Sequence, residues 1–240
     1  MSSSHKKLNS RLKEIIPSAE LEVMTLPNVP ELKLLLLAKN YPQGALSEQE
    51  MQRVMNNPLY WVFCWASGEV LARYLLDHPE QVSGKRILDF GCGSGVVAIA
   101  AAIAGAGEVI ACDIDPLALE ATAVNAKLNG IDLQLCDDYF DIEGEVDLII
   151  VADVLYDSEN FVWLERFSRR APRVLVADSR VKNFDYPPFS QIDQMDSCTL
   201  PDLDESAEFR DVRIYLRTGH KARKKPWSWF EAGNSGALAR

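Results

Sequence analysis

The chain has 240 residues and a formal net charge of −10, from 25 Lys and Arg against 35 Asp and Glu. With 48% apolar and 25% charged residues it carries enough apolar surface to offset the entropy of ordering, which excludes a wholly disordered chain and fits one domain with additions or at most two. The acidic balance argues against tight binding of duplex nucleic acid, which needs cations facing phosphates, and favours a small ligand or a basic partner.

Five cysteines (Cys64, Cys92, Cys112, Cys136, Cys198) are an odd number without a CxxC pair, and only three histidines exist. Neither a disulfide framework nor a zinc cluster is expected. The opening MSSSHKKLNSRLKE lacks the apolar run of a secretory signal. The apolar stretch from Val96 to Gly107 is about half of the roughly 20 residues a membrane helix needs. We expect a soluble, cytoplasmic monomer with no membrane partner.

The first eighty residues read as helical, so that 1–57 forms a helical N-terminal extension. Leu32 and Leu34 to Leu37 make a leucine-rich block behind Pro27 and Pro30. Ser47 with Glu50 three residues on has the form of a capping box. Asn56-Asn57-Pro58 marks a turn, and Glu69 to Leu76 has helical spacing. From Gly84 the pattern changes. Strands are expected at 85–90, 108–113, 131–136, 147–152 and 173–177. Helices are expected from the glycine-rich turn to about Ala104, from Pro116 to about Leu128, and over 158–170. Short all-apolar strands alternating with helices indicate right-handed crossovers and a parallel sheet covered on both faces. After Asp178 the alternation stops, and strands over 190–200 and 211–218 suggest a closing antiparallel pair. The fold class is therefore α/β: a Rossmann-like, seven-stranded, mostly parallel sheet with helices on both faces, spanning 58–220. A basic tail, 221–240, follows. From Arg210 to Arg240 there are eight basic residues and two acids, a balance of +6. It reads as a solvated terminus, with a docking arm as the rival.

The central signal is Asp89-Phe90-Gly91-Cys92-Gly93-Ser94-Gly95, a strand running into a GxGxG turn and then a helix. Glycines permit the sharp bend and let a ligand approach the backbone, and the helix that follows offers free N–H groups. The pyrophosphate fingerprint would need glycine at position 96, where Val96 stands. The acid Asp89 before the turn repels a pyrophosphate but tolerates a cationic ligand. Asp113 ends the second strand, where an acid hydrogen-bonds a ribose diol in dinucleotide folds. Asp137 and Asp138 follow the third strand, placed to accept from an adenine amino group or simply to solvate a loop. Asp153 and Tyr156 follow the fourth strand, at the sheet end where ligands bind in open α/β folds. Upstream, Tyr60 and Trp61 are candidates for a substrate wall and Trp65 for covering the ligand. Plain core packing is the alternative for both tryptophans.

Asp89-x-Gly91-x-Gly93-x-Gly95, then Asp113, then the acid after the third strand, resembles the class I, seven-strand S-adenosylmethionine-dependent methyltransferases. Within them Asp153-x-x-Tyr156 looks like the acid-x-x-aromatic motif of protein lysine methyltransferases. Pro58-Leu59-Tyr60-Trp61, Trp65-Ala66-Ser67-Gly68, Leu75-Leu76-Asp77, Asp113-Ile114-Asp115-Pro116 and Asp153-Val154-Leu155-Tyr156-Asp157 together resemble the lysine methyltransferase family of the electron transfer flavoprotein β subunit. The resemblance implies S-adenosyl-L-methionine as cofactor, bound by Trp65, Asp89, Gly91, Gly93, Gly95, Asp113, Asp137 and Asp138. It implies Asp153 and Tyr156 as catalytic residues, Tyr60 and Trp61 toward the substrate, and the flavoprotein β subunit as protein substrate. No nucleic acid partner is expected. A small-molecule N-methyltransferase, a ribosomal-protein methyltransferase and a non-catalytic cofactor-binding partner remain as rival readings.

Overall fold

The computed structural model describes residues 3–39, 46–155, 158–181, 184–202 and 204–219. The basic tail of 221–240 lies outside them, as does Tyr156. A seven-stranded sheet has the order β5-β4-β3-β6-β7-β9-β8. Its strands are β3 (Arg86–Phe90), β4 (Glu108–Cys112), β5 (Gln134–Cys136), β6 (Leu148–Ala152), β7 (Arg173–Asp178), β8 (Phe189–Asp196) and β9 (Asp211–Thr218). The pairings among β3 to β7 are parallel, and β9 runs antiparallel between β7 and β8. This is the mostly parallel sheet expected, closed by the antiparallel pair expected.

Helices cover both faces. α3 (Ala66–Asp77) and α4 (Val96–Ile103) bury their apolar residues with Ile87, Val109, Ile150 and Ala177 on one face. α6 (Val162–Arg170) sets Leu164 and Phe167 against Leu88, Ile110, Ile149 and Val176 on the other. The alternation of Ile87 and Leu88 between two cores is the period-2 geometry of a strand buried on both sides. α5 (Pro116–Leu128) begins at Asp115, whose carboxylate accepts from the Leu117 N–H, with proline at the first helical position. The third parallel strand starts later than the expected residue 131. The Ile131 N–H reaches back to the Ala126 carbonyl at 2.9 Å, so the chain is still closing α5 there.

The N-terminal extension corrects the helical reading. α1 (Ser3–Ile15) and α2 (Glu48–Asn56) are helices, but β1 (Leu21–Thr25) and β2 (Lys33–Leu37) form an antiparallel hairpin between them. The leucine block has no helical period because both faces of β2 are buried. Leu34 and Leu36 enter the core under α3 and α4, while Leu35 and Leu37 join Leu8, Leu12 and Trp61. Each such leucine contributes roughly 1.5–3 kcal/mol of burial. The outer edge of β2 is tied to α5: the Leu35 N–H donates to Asn125 Oδ1 (2.7 Å), and Asn129 brackets Lys33 through its N–H and its carbonyl. The Ser47–Glu50 capping box at α2 is present as expected.

Candidate active site

The glycine turn after β3 holds Gly91, Gly93 and Gly95 at φ of +71°, +52° and +82°, the left-handed region where a Cβ is strained. A Cβ on Gly95 would lie 2.9 Å from the Thr122 side chain of α5, whereas one on Gly93 would meet only the Gly91 carbonyl, 4.0 Å away. The turn is therefore packed tightly underneath and open above Gly93. Its underside is fixed by α5. Thr122 Oγ1 donates to the Gly93 carbonyl (3.2 Å), and Asn125 Nδ2 donates to the Ser94 carbonyl (2.8 Å).

Three acids converge here. The Gly93 N–H donates to Asp113 Oδ2 at 2.9 Å, and the Asp115 N–H donates to Asp113 Oδ1 at 3.0 Å. One carboxylate thus pins the turn to the end of β4 and keeps spare lone pairs for hydroxyl donors. Asp89, 2% exposed, accepts the Ala98 N–H at 2.9 Å. It fills the role of an N-cap for α4, whose own N-cap position is Gly95. Burial pushes Asp89 up to about 7, with the charge of Asp113 adding to the rise. Burial also raises Asp113, against the two N–H groups that lower it.

The end of β6 repeats the device. Asp153 accepts the Ser67 hydroxyl at 2.7 Å and the Ser67 N–H at 3.2 Å. α3 begins after Trp65, whose side chain gives no cap, so Asp153 caps it from across the sheet. Ser179 Oγ donates to the same Asp153 oxygen at 3.5 Å. Asp153 sits at φ +51°, a strained conformation for a non-glycine residue and one often found at functional sites. Burial first, and then the charge of Asp178, raise its pKa to about 7 against the Ser67 bonds and Arg180. The bridge between Cys64 and Leu200, with both backbone bonds at 2.8 Å, anchors the segment leading into α3.

Above this end of the sheet Trp65 is half-buried, and its indole N–H donates to the Tyr60 carbonyl at 3.0 Å. The Arg180 guanidinium lies 5.8 Å from the Trp65 ring and 4.5 Å from that of Phe209, and pairs with Glu205. Tyr60 is 52% exposed, with its ring 6.1 Å from Trp65. Trp61 corrects the substrate-wall expectation. It is fully buried with Leu8, Leu12 and Ala121, in the core between the extension and α5. Asp138 is exposed, and its carboxylate turns the chain by accepting the Phe140 N–H at 2.8 Å; Asp137 beside it is exposed. Thr122, Asn125 and Asp178 belong to no motif in the sequence, and the Trp65-Ala66-Ser67-Gly68 motif gives Ser67 no role of its own. The strand-end placement of Asp178 was the one signal available for it.

Among the described residues no helix is long and apolar enough to cross a membrane, no cluster of metal-ligating side chains occurs, and the five cysteines are free.

Comparison with known proteins gives one family match and three relatives. The model of the family "Ribosomal protein L11 methyltransferase (PrmA)" matches residues 71–160. The electron transfer flavoprotein beta subunit lysine methyltransferase of Rattus norvegicus is 37% identical over 152 residues, covering 60% of this chain and 60% of the relative. That of Xenopus laevis is 38% identical over 160 residues, covering 63% and 64%. A ribosomal protein L11 methyltransferase of Dechloromonas aromatica is 49% identical over 69 residues, 29% of this chain and 23% of the relative. The chain thus spans about three fifths of the length of the flavoprotein-directed relatives it matches.

Proposed function

We propose that this protein is an S-adenosylmethionine-dependent protein-lysine N-methyltransferase whose substrate is the electron transfer flavoprotein β subunit. The observation that carries the reading is the pairing of an open glycine turn, pinned by Asp113, with a strained, half-buried acid, Asp153, at the ends of the neighbouring parallel strands β3 and β6. The turn fits the donor. Open space above Gly93, free lone pairs on Asp113 for ribose hydroxyls, and acids rather than cations around it suit a sulfonium better than a pyrophosphate.

In this reading Gly91, Gly93 and Gly95 cradle the donor, Asp89 stiffens the cradle from below, and Asp137 and Asp138 face the adenine. Trp65 covers the bound molecule, and Tyr60 faces the acceptor. When bound, the donor supplies a methyl carbon made electrophilic by its sulfur. A free lysine has a pKa of about 10.4, so deprotonating it at neutral pH costs roughly 4–5 kcal/mol. Asp153 attracts and orients the ammonium. Alignment of the amine with the transferred carbon then supplies much of the acceleration. The acidic surface suits a basic protein face.

The shared matches to enzymes named for ribosomal protein L11 support a second substrate. Incubating the full chain and donor with purified flavoprotein β subunit, and separately with L11, followed by intact-mass and peptide mass spectrometry, decides between them. Methylated lysines on the β subunit are expected. Methylation of L11 alone would overturn the substrate assignment.

A further inference from the structure

We propose that Asp178 is a positioning residue for the methyl acceptor, acting through Asp153: the two carboxylates form one coupled anionic pair that seats the incoming ammonium. The proposal rests on the reading of Asp153 as the residue that orients the amine.

The two acids are placed together by strand register. Ala152 is paired with Ala177, and the Asp153 N–H donates to the Ala177 carbonyl at 3.1 Å, so Asp153 and Asp178 leave adjacent strand ends side by side. Asp178 is 2% exposed. Its Oδ1 accepts the N–H groups of Arg180 (2.8 Å) and Val181 (2.7 Å). Its Oδ2 is sealed from solvent and has no hydrogen-bond partner among the described residues. The Leu155 N–H is near enough to lower the pKa of Asp178 but does not reach bonding geometry. A buried carboxylate oxygen without a donor costs folding free energy, and a second carboxylate beside it adds to the cost.

The described neighbours do not cancel these charges. From α3 come Ser67, which is neutral, and Glu69, whose carboxylate is engaged by Asn28 and Ser197. From the segment after β7 comes Arg180, which lowers both acids but is itself paired with Glu205. From β9 come Arg213, held by Asp211, and Tyr215, whose phenol is raised chiefly by its burial. The Cys64 thiol is raised well above its ordinary value, by burial first. Among the described residues the pair is therefore short of positive charge, and a substrate ammonium is the group that would supply it. Turn-capping alone would need only Oδ1, and asparagine would serve that purpose equally well.

This distinction gives the test. Asp178→Asn keeps an oxygen for the Arg180 and Val181 N–H groups and removes the charge. Carboxyl carbons of aspartate in the full chain are followed by NMR against pH, with Asp153 assigned from its loss in Asp153→Asn. Removal of the neighbouring charge should lower the Asp153 midpoint by about one unit, a tenfold change in proton affinity. An unchanged midpoint would overturn the proposal. If the variant fails to fold, the parent alone decides: Asp153 and Asp178 should titrate in shared, two-step curves, and independent single steps would sink the coupling.

Turnover adds a second readout. Asp178→Asn should raise KM for the protein acceptor more than it lowers kcat. Its kcat/KM relative to the parent should recover as pH falls from about 8.5 to about 6, because its Asp153 stays ionised longer. A ratio that does not change with pH would contradict the proposal. The carboxyl titrations need no acceptor, so the two failures are distinguishable: absence of methyl transfer to any protein lysine would remove the functional reading and with it the acceptor role of the pair, whereas uncoupled titrations would overturn the pair alone.

Discussion

The Ser67 hydroxyl donates to Asp153 at 2.7 Å, joining the first turn of α3 to the end of β6. One carboxylate thereby caps a helix and occupies the position where acceptor chemistry is expected. Asp89 does the same for α4 beneath the glycine turn. In both cases the helix's own N-cap residue, Trp65 or Gly95, has no capping side-chain bond. The fold thus holds these two acids with the free N–H groups of helix termini.

Asp153→Asn preserves an acceptor for Ser67 and removes the charge. Donor affinity measured by calorimetry should stay within about twofold of the parent, while single-turnover methyl transfer should fall by roughly 10²–10⁴. Equal turnover by variant and parent would remove Asp153 from the reaction.

Gly95→Ala places a Cβ 2.9 Å from Thr122 in a backbone at φ +82°. It should destabilise the chain by about 1–3 kcal/mol in denaturant unfolding and weaken donor binding. Gly93→Val, with its side chain directed into the open side of the turn, should block donor binding; an unaltered affinity would refute the placement of the donor above Gly93.

Asn125→Ala removes the bonds to Leu35 and Ser94 together, leaving a buried N–H and carbonyl without partners. A loss of about 1–3 kcal/mol for each unsatisfied group is expected. Chemical denaturation should show it, with weaker donor binding if the N-terminal hairpin and the glycine turn are coupled through α5.

The buried acids give stability a pH dependence of definite sign. Folded Asp89 keeps its proton to about 7, whereas in the unfolded chain a carboxyl loses it near its ordinary value. Between those values the folded state binds more protons, so Asp89 makes stability fall as pH rises, until the effect levels off above about 7. Asp153 acts in the same direction. Asp89→Asn should flatten the decline in denaturation midpoint between pH 5 and pH 8 and make the chain more stable than the parent at the alkaline end.

Much of this organisation was legible in the sequence. The strands at 86–90, 108–112, 148–152 and 173–178 are continuous apolar runs bounded by glycine, proline or acids, and each emerged close to its expected limits. The glycine turn, Asp113 and Asp153 were legible because they sit at strand ends. The hairpin was not. A run such as Leu34 to Leu37 is buried on both faces and carries no period, so length and neighbours had to arbitrate, and its tertiary packing lies far away in α5. Ser67, Thr122 and Asn125 were silent for a similar reason. Their partners are 86, 29 and 31 residues away, and a lone polar residue in a helix announces none of them. Trp61 matched the upstream motif, but its burial came from α1 and α5, which the motif does not include.

A crystal structure of the full chain grown with S-adenosylhomocysteine tests the central claim most directly. The account predicts the ligand above Gly93, with ribose hydroxyls on Asp113 and its sulfur turned toward Asp153. A ligand bound elsewhere, with the space above Gly93 empty, would contradict it.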